Sequence, residues 1–140
     1  MAEVMTIGTL SRRTGTPVKA LRAYEDMGLI YTVGRSPGNY RLFGEEALWC
    51  VAVVSGLRSL GLTLEEIRGV AAAYLQDTGE PAGPRLAGVL KAVRARTGQQ
   101  IAELRERLLR IDEFERSRAA ELAGLADFHA EDPRTRQAGA

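Results

Sequence analysis

The apolar positions of this chain change period several times, and each change predicts a different element. Ile7 and Leu10 lie at helical spacing behind Thr6, whose hydroxyl suits a helix N-cap, and Gly15 supplies a stop signal, so a short helix is predicted from Ile7 to about Arg13. Thr16-Pro17 repeats the start signal, and Val18, Leu21 and Tyr24 then mark one apolar face until Gly28. Two short helices across a tight Thr-Gly-Thr turn predict a helix-turn-helix, whose second helix would present Lys19, Arg22, Ala23 and Asp26 outward.

After Ile30 and Tyr31 the chain enters Gly34-Arg35-Ser36-Pro37-Gly38-Asn39, then alternates through Tyr40-Arg41-Leu42-Phe43. This predicts a small β-hairpin with Pro37-Gly38 at the centre of a type II turn, Asn39 in an unusual backbone conformation beside it, and Arg35 and Arg41 flanking it. Glu45 to Leu60 reads as a third helix ended by Gly61, and Thr63-Leu64-Glu65-Glu66 as a capping box that opens a fourth through Ile67, Val70, Ala71 and Tyr74. Residues 77–83 form a Gly/Pro-containing connector, after which Pro84 can occupy the first turn of a much longer helix. Along it Leu86, Leu90, Val93, Thr97, Ile101, Leu104, Leu108 and Ile111 recur at steps of three and four. Rimmed by charges, this seam is narrow enough for a coiled coil and wants a partner helix, although Gly98 and two successive steps of four disturb a strict heptad. The fold expected is mainly α: a winged helix-turn-helix head over 1–76, the connector, a dimerisation helix with a short C-terminal segment over 84–125, and a flexible tail over 126–140.

Charge sharpens this picture only locally. The chain carries 19 Lys+Arg and 18 Asp+Glu, yet residues 1–44 hold six basic and three acidic side chains, an excess of three that suits a phosphate-facing surface. The single cysteine, Cys50, forbids an intramolecular disulfide and a multi-thiolate metal site within one chain, which fits a reducing compartment. With no apolar run approaching a membrane span and no signal-like N-terminus, a cytoplasmic protein without membrane association is expected.

The element order resembles that of the MerR family of bacterial transcriptional regulators. The resemblance is carried by Thr6-Ile7-Gly8-Thr9-Leu10, by Gly15-Thr16-Pro17-Val18-Lys19-Ala20-Leu21-Arg22-Ala23-Tyr24-Glu25-Asp26-Met27-Gly28-Leu29-Ile30, by Arg35 and Tyr40-Arg41-Leu42-Phe43, and by Leu60-Gly61-Leu62-Thr63-Leu64-Glu65-Glu66-Ile67. It implies a homodimer joined by an antiparallel coiled coil, each head reading half of a palindromic element in double-stranded promoter DNA. In the family the dimer distorts the promoter spacer so that RNA polymerase can engage. Carried over residue by residue, Arg22 would be the recognition-helix contact with Lys19 and Tyr24 beside it, and Arg35, Tyr40 and Arg41 would hold phosphates from the wing. Arg58, near a second wing around Gly61 and Thr63, would touch the backbone, while Leu86, Leu90, Val93, Ile101, Leu104, Leu108 and Ile111 would form the dimer seam. Ala23 stands where many members carry an aromatic, so that contact is missing here.

The resemblance implies no cofactor for this short form. Metal-sensing and iron–sulfur members need cysteines that this chain lacks, and Gly56 occupies the place of the single reactive cysteine of a further branch, so Cys50, among Trp49, Val51 and Val53, reads as buried filler first and as a reactive sensing thiol only second. The drug-binding members carry a large C-terminal domain for which 140 residues leave no room. A small-molecule effector at the dimer-helix junction, a protein partner engaging residues 120–140, and control through abundance stay open. Trp49, Tyr74 and Phe114 are pocket candidates, though aromatics at helical spacing more often simply pack; His129 beside Asp127, Glu131 and Asp132 is a weak metal candidate in a polar segment. An enzyme is not expected, because no phosphate loop or nucleophile–base pair is found. The alternative is a coiled-coil adaptor that binds protein and not DNA, which would not need Arg22, Arg35 and Arg41 on one face.

Overall fold

The computed structural model describes residues 3–76 and 81–138. The described chain is built of β1 (Met5–Thr6), α1 (Ile7–Thr14), α2 (Val18–Asp26), β2 (Gly34–Arg35), β3 (Arg41–Phe43), α3 (Glu45–Ser59), α4 (Leu64–Gln76) and α5 (Ala82–Ser117), then α6 (Ala119–Leu122), a 3-10 turn (Phe128–Glu131) and α7 (Pro133–Ala138). None of its described helices is long and apolar enough to cross a membrane. It divides into two compact units, one reaching Ala95 and the other beginning at Arg96.

In the first unit, local chemistry sets each helix boundary. Thr6 Oγ1 accepts the Thr9 N–H at the start of α1, and Gly15, at φ 70°, closes its end by donating to the Ser11 carbonyl. Ser11 then donates its hydroxyl to the Thr16 carbonyl at 2.6 Å, tightening the turn into α2. Thr16 is not the cap that its position before Pro17 predicts: Pro17 holds the cap position without a side-chain bond, and Thr16 is buried. At the far end of α2, Gly28 donates to the Glu25 carbonyl and Leu29 to that of Tyr24, so glycine at φ 75° turns the chain sharply off this helix. The predicted capping box forms as a reciprocal pair, Glu66 Oε1 accepting the Thr63 N–H at 2.8 Å and Thr63 Oγ1 the Glu66 N–H at 3.1 Å.

The hairpin becomes part of a three-stranded antiparallel sheet of order β1-β3-β2, with Met5 opposite Phe43 and Arg35 opposite Arg41. The Ser36–Asn39 turn is closed by the Asn39 N–H on the Ser36 carbonyl. It is not type II, which demands a positive φ at Gly38; the left-handed residue is Asn39, at φ 66°. Gly38 is needed for a different reason, since a β-carbon there would come within 3.1 Å of the Tyr40 ring.

The core of this unit gathers Leu10, Leu21, Ile30, Phe43, Val51 and Leu62, all essentially inaccessible. The start of α5 joins it. Val93 is buried at 4% exposure, and Leu86 and Leu90 pack against the same cluster. Of the residues expected in the seam, Val93 is taken up by the chain's own head, and Leu86 and Leu90 are partly covered by it. Helix α5 also begins at Ala82, two residues before the expected start, while residues 77–80 of the expected connector lie outside the described residues.

In the second unit, Ile101, Leu104, Leu108 and Ile111 are exposed along α5. The helix stops at Ser117, inside the span 84–125 expected for it and a short C-terminal segment, where Arg118 leaves helical geometry and its guanidinium reaches Glu131 at 2.7 Å and Glu121 at 3.4 Å. The region expected to be a loose tail contains two short ordered elements, the 3-10 turn capped by Asp127 and helix α7; residues 139–140 lie outside the described residues.

Phe43 links the sheet to the helical core, so Phe43→Ala should lower the unfolding free energy by about 3–5 kcal/mol in chemical denaturation. A loss below about 1 kcal/mol would show that the sheet is not anchored through this ring.

Candidate nucleic-acid interface

A groove runs between α2 and the β2–β3 wing, and its walls bring together Arg22, Arg35, Tyr40 and Arg41. These four come from separate stretches of sequence: α2 supplies Arg22 from its outer face, β2 supplies Arg35, and the β3 side of the hairpin supplies Tyr40 and Arg41. Arg22, Arg35, Tyr40 and Arg41 are all exposed, as is Lys19 one helical turn before Arg22, although Lys19 is not a wall of the groove. The wing tip is stiffened locally, with Arg35 donating to the Asn39 carbonyl at 3.3 Å and the Tyr40 N–H to Ser36 Oγ at 3.0 Å.

Two further proposed contacts have other local engagements. Tyr24, at 7% exposure, is a core residue, because its position on α2 follows the apolar stripe of Leu21 and not the face of Arg22. Arg58 is exposed at the end of α3, and its guanidinium donates to the Leu62 carbonyl at 3.1 Å, which ties down the Gly61 turn. Ala23, where an aromatic contact is missing, is half-buried.

The groove also holds two carboxylates, Asp26, which was expected on the outer face of α2, and Glu25, which was not. Glu25 and Asp26 line it, three and four residues after Arg22, a spacing that places them beside it on the helix and was readable from the sequence. Arg41 Nη1 lies 2.6 Å from Glu25 Oε1, clamping the wing to the recognition helix. The Glu25 side chain is only 17% exposed, and its second oxygen, Oε2, is buried without a hydrogen-bond partner. The cation on the wing therefore compensates a carboxylate that has lost most of its water. The groove walls carry three arginines against two acids, so its character comes from where the cations stand more than from a large excess of charge.

Other residues singled out in the sequence have local partners. Asp127 Oδ2 meets His129 Nδ1 at 2.9 Å, and hydrogen bonds from the His129 backbone and ring hold the Asp127 carboxyl below its ordinary range. Asp132 is engaged by Arg134 and Glu131 by Arg118, so this acidic segment is occupied by its own cations and imidazole. Among the described residues, no group of three or more His, Cys, Asp or Glu side chains is arranged to hold a metal ion. Cys50 is half-buried on α3, where burial first and Glu46 second push its thiol up, keeping it neutral near physiological pH.

Comparison with known proteins agrees with this architecture. The profile of the MerR HTH family regulatory proteins matches residues 5–74, which takes in the groove and both wings. Heavy metal-dependent transcription regulator 2 of Rhizobium meliloti is 30% identical over 113 residues, covering 81% of this chain and 71% of that protein. A ZntR homolog of Haemophilus influenzae is 36% identical over 66 residues, 47% of this chain and 49% of its own length. With that homolog, then, the chain shares about half a protein. Among solved structures, the transcription regulator PbrR691 from Ralstonia metallidurans CH34, in complex with lead(II), superposes with a TM-score of 0.68 at 29% identity, over 81% of this chain and 86% of that one. The chain belongs to the MerR family of helix-turn-helix transcriptional regulators, and its relatives are regulators, not enzymes.

The clamp makes a measurable claim. Because Arg41 is about half exposed, a double-mutant cycle of Glu25→Ala and Arg41→Ala followed by denaturant unfolding should return a coupling of about 1 kcal/mol, with Arg41→Ala alone destabilising. Additive effects would show that the two side chains do not support each other.

Proposed function

We propose that the chain acts as a cytoplasmic homodimer that binds a palindromic element in double-stranded promoter DNA. Helix α2 enters the major groove with Arg22 foremost and Lys19 beside it, while Arg35, Tyr40 and Arg41 take phosphates from the wing and Arg58 lends a backbone contact near the Gly61 turn. The observation that carries this reading is the convergence of Arg22, Arg35, Tyr40 and Arg41 on one groove from three separate elements. Tyr24 serves by packing, holding α2 on the core at the level of Arg22. By this reading the dimer distorts the promoter spacer, so RNA polymerase is the further partner.

The dimer reading rests on Ile101, Leu104, Leu108 and Ile111, an apolar line exposed along α5 of the single chain. Water contact along such a line is unfavourable, and burying it against a second copy gains about 25 cal/mol per Å². The metal response in the name of the Rhizobium meliloti relative is not carried over to this chain, whose one cysteine cannot build a multi-thiolate site within a chain.

Two variants separate the parts of the proposal. Arg22→Ala should weaken operator binding by about tenfold or more in a fluorescence-anisotropy titration while leaving the dimer intact, and unchanged affinity would remove α2 from the interface. Leu104→Glu with Leu108→Glu should yield monomers in sedimentation, since a coiled-coil seam cannot bury unpaired charge cheaply. A dimer surviving both charges would place the subunit contact elsewhere.

A further inference from the structure

A second concavity lies on the other side of the head's core, walled by α3, α4, the first turn of α5 and the Gly28-Leu29 turn that follows α2. Its volume is about 240 Å³, and among the described residues none of its walls carries a formal charge. The polar side-chain atoms among the described wall residues are the indole N–H of Trp49, the thiol of Cys50 and the hydroxyl of Tyr74; the other described walls are aliphatic, with Val53, Val54 and Leu57 from α3 and Ile67, Val70 and Ala71 from α4. Trp49 and Tyr74 are both exposed and yet line the cavity, which puts two aromatic rings at its mouth.

We infer that this cavity is a binding site for a small, uncharged, aromatic molecule. An apolar cavity of roughly 150 Å³ accommodates one benzene ring, so the space here suits a molecule of one or two fused rings. Against the described walls a charged ligand would give up its hydration without gaining a counter-ion, and ordered water would find few polar partners there. The Cys50 thiol, held neutral by burial, adds no charge to the wall. Aromatic ligands fit better than aliphatic ones because Trp49 and Tyr74 can meet a ring edge-to-face or offset-stacked at the entrance. The inference concerns ligand binding alone and stands whether or not α2 binds DNA.

The chain's only tryptophan and only cysteine both lie on this wall, so the unmodified chain reports on its own cavity. The neutral two-ring probe 1-aminonaphthalene should bind saturably at one molecule per chain, quench Trp49 fluorescence, and slow alkylation of Cys50 by N-ethylmaleimide by about fivefold or more. Val53→Glu, at a position 39% exposed, and Ala71→Leu, which fills the space, should each weaken probe binding by about tenfold or more. Circular-dichroism melts establish that each variant is folded, and the more exposed Val53 site keeps the test decisive if Ala71→Leu does not fold. Absence of saturable binding overturns the inference, as does binding retained in a folded variant. Cys50 already shielded in the free protein, and uncovered when Leu104→Glu and Leu108→Glu separate the subunits, would make a second copy the occupant and likewise overturn it.

Discussion

Val93 buried in the core of the head is the contact on which the rest of this molecule depends. It comes from the long helix, yet only 4% of it is accessible, and the turn at Gly61 passes so close that a β-carbon there would lie 3.4 Å from Val93 Cγ1. Glycine at φ 99° makes the α3–α4 turn at that point, directly against Val93. With Leu86 and Leu90 also packed on the core, the opening turns of α5 are structural parts of the head. The apolar positions from Ile101 onward have no such partner within their own unit among the described residues, which is why a second copy enters the account at all.

The Glu25–Arg41 pair plays a comparable part at the opposite surface. A two-strand wing of so few residues has little intrinsic stability, and the sheet gains a third strand only because Met5 and Thr6 pair with Phe43 and Leu42. The 2.6 Å ion pair from β3 to α2 adds a polar tie to that pairing. It also sets a limit, since part of the Arg41 charge is already answered before any phosphate arrives. Arg22 and Arg35 are then the groove's other cations, and their relative placement through the clamp matters more than the modest net charge.

Much of this was legible in the sequence wherever a local rule governs the backbone. Thr6, Gly15, Gly28 and the Thr63–Glu66 box marked helix ends that the structure keeps, because capping bonds span only a few residues. Strand β1 was illegible for the opposite reason: two residues cannot show a period, and their partner lies almost forty positions away. The split of the seam at Val93 was hidden too, since a heptad-like spacing does not say whether the surface it meets is a partner helix or the chain's own core. Tyr24 carried contradictory signals, belonging to the apolar stripe by spacing and to the groove by family resemblance, and spacing prevailed. Asp26 was legible on the outer face of α2, whereas the place of Glu25 in the groove depends on where the wing lies, which helical spacing alone does not give.

The central claim is that the groove between α2 and the wing is a DNA-reading surface. The most direct measurement is a fluorescence-anisotropy titration of the protein against promoter DNA from its own and adjacent genes, repeated at two salt concentrations with an unrelated duplex alongside. The account predicts tight binding to one promoter fragment that weakens steeply as salt rises, because several cations displace condensed counterions. Equal, weak and salt-insensitive binding to every duplex would contradict it.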